Sequence, residues 1–203
     1  MTTAREAILA AVRGAIADST APAAVQRGYR RAGARTPSNR IDLLSERLVD
    51  YHATVRRLPP LELPAAVEEL ARGRIGIPPG LPDEWRPAGA VEDHGLTPQE
   101  LDTLDGVLTG CTLAIAETGT LILAGGPTEG RRALTLVPDL HICLVRAGQV
   151  VETVPEAFEA LRGLANRPLT LVSGPSATSD IELKRVEGVH GPRTLVVLIV
   201  EEE

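Results

Sequence analysis

The sequence predicts an α/β fold, a largely parallel central sheet flanked by helices, preceded by a helical N-terminal arm. Three observations carry this. From residue 112 onward the strand-like segments are continuous apolar runs, the pattern of strands buried on both faces of a parallel sheet. Helical segments alternate with them, and two of these open with capping boxes, Thr97 to Glu100 and Thr153 to Glu156. The apolar fraction of 43% supports a real core, but the aromatics are only Tyr29, Tyr51, Trp85 and Phe158, so that core is aliphatic.

The elements follow in order. Ala4, Ile8, Val12 and Ile16 recur at helical spacing and predict a short amphipathic helix over 3–17. Residues 19–41 carry Arg27, Arg30, Arg31, Arg35 and Arg40 and no acidic residue; with a net charge of −6 overall and +5 here, the remainder carries −11. This basic arm reads either as a solvated linker or as a segment that docks an acidic partner surface. Leu44, Leu48, Tyr51 and Val55 predict one helix running from 41 to Pro59 and Pro60, with Asp42 able to cap its start. Pro64 opens a helix that closes at Gly73, and RIGIPPG then gives a short strand. Beyond the first capping box, TLAIA and TLILAG read as strands joined by a turn at Glu117 to Gly119. GRRALTLVP reads as a helical turn, HICLVRAG as a strand and EAFEALRGLA as a helix. LTLVSG, SATSDIELKRV and TLVVLIV close the chain as strand, helix and strand. The division expected is 1–60 for the helical arm with its basic linker and 61–203 for the α/β domain.

Composition excludes several functions. The acidic balance and scarce aromatics argue against nucleic-acid binding. No apolar stretch approaches transmembrane length, and Arg5, Glu6 and Arg13 interrupt any leader-like run, so a cytoplasmic protein is expected. Cys111 and Cys143 form no C-x-x-C pair and sit in apolar surroundings, which makes them core residues and leaves the chain without a cluster site of its own. No two of the four histidines have metal-ligand spacing. The only lysine, Lys184, lies among Glu182, Arg185 and Glu187 on a solvated face.

Candidate site residues fall in four places. Gly125 to Gly130 has the glycine spacing of a phosphate-binding loop, but Arg131 and Arg132 stand where Lys and Ser/Thr belong; what survives is a turn with two guanidinium groups suited to a carboxylate or phosphate. In SGPSATSDIE, Gly174 and Pro175 shape a tight turn after Ser173, and Ser176, Thr178 or Ser179 then caps a helix, an anion site by its free N–H groups and hydroxyls, complicated by Asp180 and Glu182 in the first turn. Glu117 leaves a buried strand beside Gly119 and Thr120, and is either paired structurally or poised as base or nucleophile. His190, beside Gly191, reads as a general base, an anion donor or a loop pin.

AETGT, the Gly130-Arg131-Arg132 turn, PDLHICLV, SGPSATSDIE and GVHGPR together resemble the signature segments of the lactate utilization protein C (LutC/YkgG) family of LUD-domain proteins, over about residues 60 to 200. The resemblance implies a fold similar to the NagB/RpiA/CoA-transferase-like superfamily. It also implies a part in oxidising L-lactate to pyruvate, together with iron–sulfur partner proteins that supply the clusters this chain lacks. By analogy with CoA transferases it makes Glu117 a candidate nucleophile. Two other functions stay open at this point: a stand-alone acyl-CoA or phosphosugar enzyme using Glu117, and a ligand-sensing module.

Overall fold

The computed structural model describes residues 3–17, 25–164, 166–175 and 191–201. The expected helix over 176–186, with Ser176, Thr178, Asp180, Glu182 and His190, lies outside the described residues.

Helix α1, Ala4–Ile16, forms where the periodicity predicts it. Thr3 and Glu6 close a capping box at its start, and none of its residues is buried. Helix α2, Pro37–Asp50, is capped by the Thr36 side chain, not by Asp42, with Pro37 in its first turn. It ends earlier than expected. The N–H of Ala53 donates to Leu48 O at 3.0 Å and that of His52 to Val49 O at 2.8 Å, the paired bonds of a Schellman closure. His52 occupies the left-handed region at φ 63° that this closure requires. The segment expected to continue the helix is instead strand β1, Thr54–Leu58.

Helix α3, Leu63–Leu70, follows with Pro64 in its first turn, then strands β2, Ile75–Ile77, and β3, Val91–Glu92. Helix α4, Pro98–Asp102, starts at the Thr97/Glu100 box. Strands β4, Gly106–Gly110, β5, Leu113–Ile115, and β6, Thr120–Leu123, come next. Residues 132–136 form the expected short turn, with the N–H of Leu134 donating to Arg131 O at 3.0 Å and that of Val137 to Ala133 O at 3.2 Å, and it does not continue into a helix. Strands β7, Leu140–Arg146, and β8, Val150–Val151, lead into helix α5, Val154–Ala160, at the Thr153/Glu156 box. Strands β9, Thr170–Val172, and β10, Thr194–Val200, complete the elements.

Six strands form the central sheet in the order β1-β10-β7-β4-β2-β3, with every neighbouring pair parallel. Residues of β10 alternate between two cores. Leu195, Val197 and Ile199 face Leu44 and Leu48 of α2, while Val196, Leu198 and Val200 face Leu63, Ala66 and Val67 of α3. Strands β5 and β6 do not join this sheet. They form a second sheet, β8-β5-β6-β9, in which β6 runs antiparallel to both β5 and β9. Its inner face (Ala114, Leu121, Leu123) lies on the same core as α2; its outer face (Ile115, Ile122) is covered by Ala157 and Leu161 of α5 and the turn after it. Both α2 and β1 lie within the expected arm 1–60, and both are built into the domain: Ile41, Leu44 and Leu48 are buried, and β1 is the edge of the central sheet.

His52 holds a conformation that costs an L-residue about 1–2 kcal/mol and a glycine almost nothing. Since glycine also loses more chain entropy on folding, His52→Gly should raise stability by about 0.5–1 kcal/mol in denaturant unfolding. An unchanged or lowered midpoint would show that the His52 side chain contributes a contact outweighing the strain.

Candidate functional site

The β5–β6 turn is fixed from two sides. The N–H of Ala116 donates to Val151 O at 2.9 Å and that of Glu117 to Glu152 O at 3.1 Å, continuing the pairing with β8. Gly119 has φ 59°, and a Cβ there would lie 2.7 Å from Arg47 Cβ, so α2 packs directly on the turn. Beyond it the hydroxyls of Thr118 and Thr120 are 2.8 Å apart, and those of Thr120 and Ser173 are again 2.8 Å apart. Thr120 is buried, and its hydroxyl also reaches the Thr118 carbonyl at 3.3 Å. Gly174, at φ 92°, backs onto Tyr51, whose carbonyl would lie 3.0 Å from an added Cβ. Gly191 adjoins the Pro175 carbonyl in the same manner, 3.6 Å from an added Cβ. Six of the expected residues, Glu117, Gly119, Thr120, Ser173, Gly174 and Gly191, are thereby brought to one rim. This rim lies near the starts of β1 and β10, not beyond the carboxyl ends of the parallel strands where open α/β sheets usually place ligands. The cause is that β9 belongs to the second sheet, so its end is not an end of the central one.

Arg131 and Arg132 are not part of that rim. The register pairs Leu121 with Val172 and Leu123 with Thr170, so the Thr120/Ser173 end and the Gly125 end of β6 are separated by about 10 Å of strand. The glycine-spaced turn there is filled from within. Glu129, buried, accepts from the N–H of Ala124 at 2.7 Å and of Gly126 at 2.8 Å and from the Thr112 hydroxyl. The amides that a phosphate-binding loop would offer a ligand are taken by the chain's own carboxylate. Arg131 grips Asp93 through two bonds, Nε to Oδ2 at 2.7 Å and Nη2 to Oδ1 at 2.9 Å, and also donates to the Leu96 carbonyl. Arg132 bonds Thr135 at 3.3 Å and lines a cavity of about 300 Å³ with Leu123, Gly125, Glu129 and Thr170. Thr120 and Arg132, both candidates for an anion site, therefore lie in two separate places.

The basic arm is the largest feature that sequence reasoning left without an address. It lies on the chain's own acidic side chains. Glu152, buried, accepts from Arg35 N at 2.7 Å and from Arg35 Nη1 at 2.8 Å. Glu156 accepts from Gly33 N at 3.1 Å as well as from the N–H groups of Glu152 and Thr153. A Cβ at Gly33 would overlap the Glu152 carboxyl, so only glycine seats there. Arg30 then reaches Glu117 in a direct ion pair, with its other amino group 3.7 Å from Glu152. Backbone and guanidinium bonds from Arg35 hold the Glu152 carboxyl below its ordinary range against the opposing effect of burial.

Elsewhere among the described residues the buried side-chain polar atoms have partners, except Arg40 Nε. His141 Nε2 lies 2.8 Å from the Thr109 hydroxyl, and Cys111 and Cys143 are both buried in the core. Among the described residues no group of three or more His, Cys, Asp and Glu is placed to hold a metal ion, and no helix is long and apolar enough to cross a membrane.

The LUD domain family model matches residues 61–200, more than half of the chain. The chain belongs to the LUD domain family. Among relatives, lactate utilization protein C of Deinococcus radiodurans is 47% identical over 174 residues, covering 81% of this chain and 82% of that protein. The protein YkgG of Escherichia coli K12 is 34% identical over 94 residues, covering 43% of this chain and 40% of that one. A crystal structure of a DUF162 family protein from Deinococcus radiodurans superposes with a TM-score of 0.73 at 40% identity, over 82% of this chain and 99% of that one. The LUD fold is thus the mixed α/β architecture described above.

Burial pushes the Asp93 carboxyl up, but the Arg131 guanidinium and the N–H groups of Leu96 and Gly95 outweigh it, and its pKa is lowered. A lowered folded value means that Asp93 contributes stability in full above its unfolded pKa of about 3.9, and loses it as pH falls through the folded value. Asp93→Asn should cost about 1–3 kcal/mol at pH 7 and flatten the fall in stability below about pH 4. Chemical denaturation at pH 7 and at pH 3 checks both; an equal deficit at the two pH values would remove the charge argument.

Proposed function

We propose that this LUD-domain chain is a non-redox component of an L-lactate utilization system, and that the Glu117–Thr120, Ser173–Gly174 and Gly191 rim binds a small anionic ligand. Iron–sulfur partner proteins would carry the electrons. The name of the relative that is 47% identical over most of both chains supports the process. The observation that supports the ligand is the hydroxyl chain Thr118–Thr120–Ser173. Three hydroxyls carry three hydrogens. At rest all three are used if Thr120 donates to the Thr118 carbonyl and its neighbours donate to Thr120. Turning the Thr120 hydrogen toward Ser173 gives up only the longest contact, at 3.3 Å, and frees the Ser173 hydrogen for an acceptor. Such a chain suits an incoming oxyanion.

Glu117 as the nucleophile of a stand-alone acyl-transfer enzyme is less well supported. One of its oxygens is engaged by Arg30, which stabilises the carboxylate but takes up the group that would attack.

Thermal-shift measurements with L-lactate, pyruvate, phosphate and coenzyme A test the ligand reading. A carboxylate at about 100 times its Kd should stabilise the chain by about 2.7 kcal/mol. Thr120→Val and Ser173→Ala should each reduce the shift while leaving the unliganded melting temperature within a few degrees. The purified chain alone should not oxidise lactate with a simple electron acceptor; turnover without partners would overturn the assignment to a non-redox role.

A further inference from the structure

The arm meets the domain in two ways that differ in kind. Gly33 and Arg35 are seated through backbone N–H groups on Glu156 and Glu152, and Gly33 has no room for a side chain. Glu152 is 3% exposed in its side chain, so this anchor sits out of reach of solvent. The preceding stretch, 25–32, has no regular secondary structure and is exposed, with Val25 74% and Tyr29 69% accessible. Among the described residues its hydrogen bonds and ion pairs to the domain run through Arg30. That side chain is 57% exposed and its partner Glu117 is 29% exposed. Gly28, two residues away, has nothing within 4 Å of an added Cβ. A buried anchor therefore carries a length of arm held just beyond it by the exposed Arg30 guanidinium, which pairs with Glu117 and lies 3.7 Å from Glu152, and the Glu117 pair stands on the turn of the candidate rim.

We propose that segment 25–32 is a strap across the Glu117 turn, hinged at Gly33–Arg35 and caught by Arg30, and that an anion entering the rim releases it by competing with Glu117 for the Arg30 guanidinium. This rests on the anionic-ligand reading above. Chemistry favours the catch as the part that yields. A solvated pair contributes little and is screened by salt, whereas a buried carboxylate stripped of its donors would be left uncompensated. A guanidinium presents equivalent forks to any carboxylate, so a ligand carboxylate can displace Glu117 and leave Arg30 paired with a diffusible anion in place of a residue fixed to the domain.

A nitroxide attached at Gly28→Cys reads the strap directly in the full chain, since Cys111 and Cys143 are both buried. At low salt the label should give a restricted spectrum. Glu117→Gln, and separately Arg30→Gln, should shift the strap toward the free form about two- to fivefold, the range of an exposed ion pair, with an unchanged circular dichroism spectrum. About 1 M NaCl, where the screening length is about 3 Å, should do the same to the parent chain and add little to either variant. A label equally mobile in the parent and in both variants would overturn the strap. Adding L-lactate or pyruvate to the parent tests release: mobilisation supports it. A ligand that raises the melting temperature without moving the label overturns release while the ligand reading stands. A salt- and Glu117-dependent label with no thermal shift from any anion leaves the strap and removes the ligand reading.

Discussion

Burial of β10 on both faces is the constraint from which the rest of the molecule follows. Its side chains alternate between two cores, and its neighbours β1 and β7 run parallel to it, so the sheet needs a cover on each side. On one side α3 is joined by Leu81 and Trp85 from the loop after β2. On the other, α2 covers only part of the face, and the second sheet supplies the remainder with Ala114, Leu121 and Leu123. Laying that sheet beside α2 is what presses Gly119 against Arg47 and Gly174 against Tyr51. The candidate rim is thus a seam between two covers of one core. Gly119 and Gly174 are there because backbone meets α2 and its end with little or no space for a Cβ.

Much of this was legible in the residues. Strands β7 and β10 are long aliphatic runs, and the Thr97 and Thr153 boxes mark helix starts that formed as expected. What failed has physical causes. Continuous apolar character reports burial on two sides, not direction. Strands β5 and β6 are covered by the central core within and by α5 without, so they read as parallel strands while pairing antiparallel. Strand β4, Gly106–Gly110, holds two glycines and a threonine in five residues; its pairing comes from β2 and β7 on either side, a tertiary cause invisible locally. Strand β1 was hidden because the helix before it stops at a histidine in the left-handed region, where a glycine would have marked the end.

The site divides along the same line. Glycine spacing at Gly125–Gly130 suggested a cradle, and the cradle is real, but a glutamate inside the motif fills it. The signal was present: an acidic residue in the middle of an anion loop is a competitor for any anion. Arg131 likewise has its match in Asp93, which no local pattern announces because 38 residues separate them. For the arm, the charge count held the clue. Five arginines without an acid, against −11 elsewhere, called for an acidic counterpart, and Glu117, Glu152 and Glu156 of the same chain supply it.

The three glutamates under the arm are not equivalent, and their depth sets what each can do. Glu152 is almost sealed and cannot lose its donors without stranding charge in a poor solvent, while Glu156 is half-buried and tied into a helix start, so both behave as fixed parts of the frame. Glu117 keeps contact with water, and losing its arginine leaves it hydrated and stable. Burying this third contact with the other two would have added a desolvation cost and fixed the arm along its length. Leaving it open keeps the arm attached at its root and exchangeable at Arg30, beside the hydroxyls of Thr118, Thr120 and Ser173, where an arriving oxyanion finds both a hydrogen to accept and a guanidinium to share.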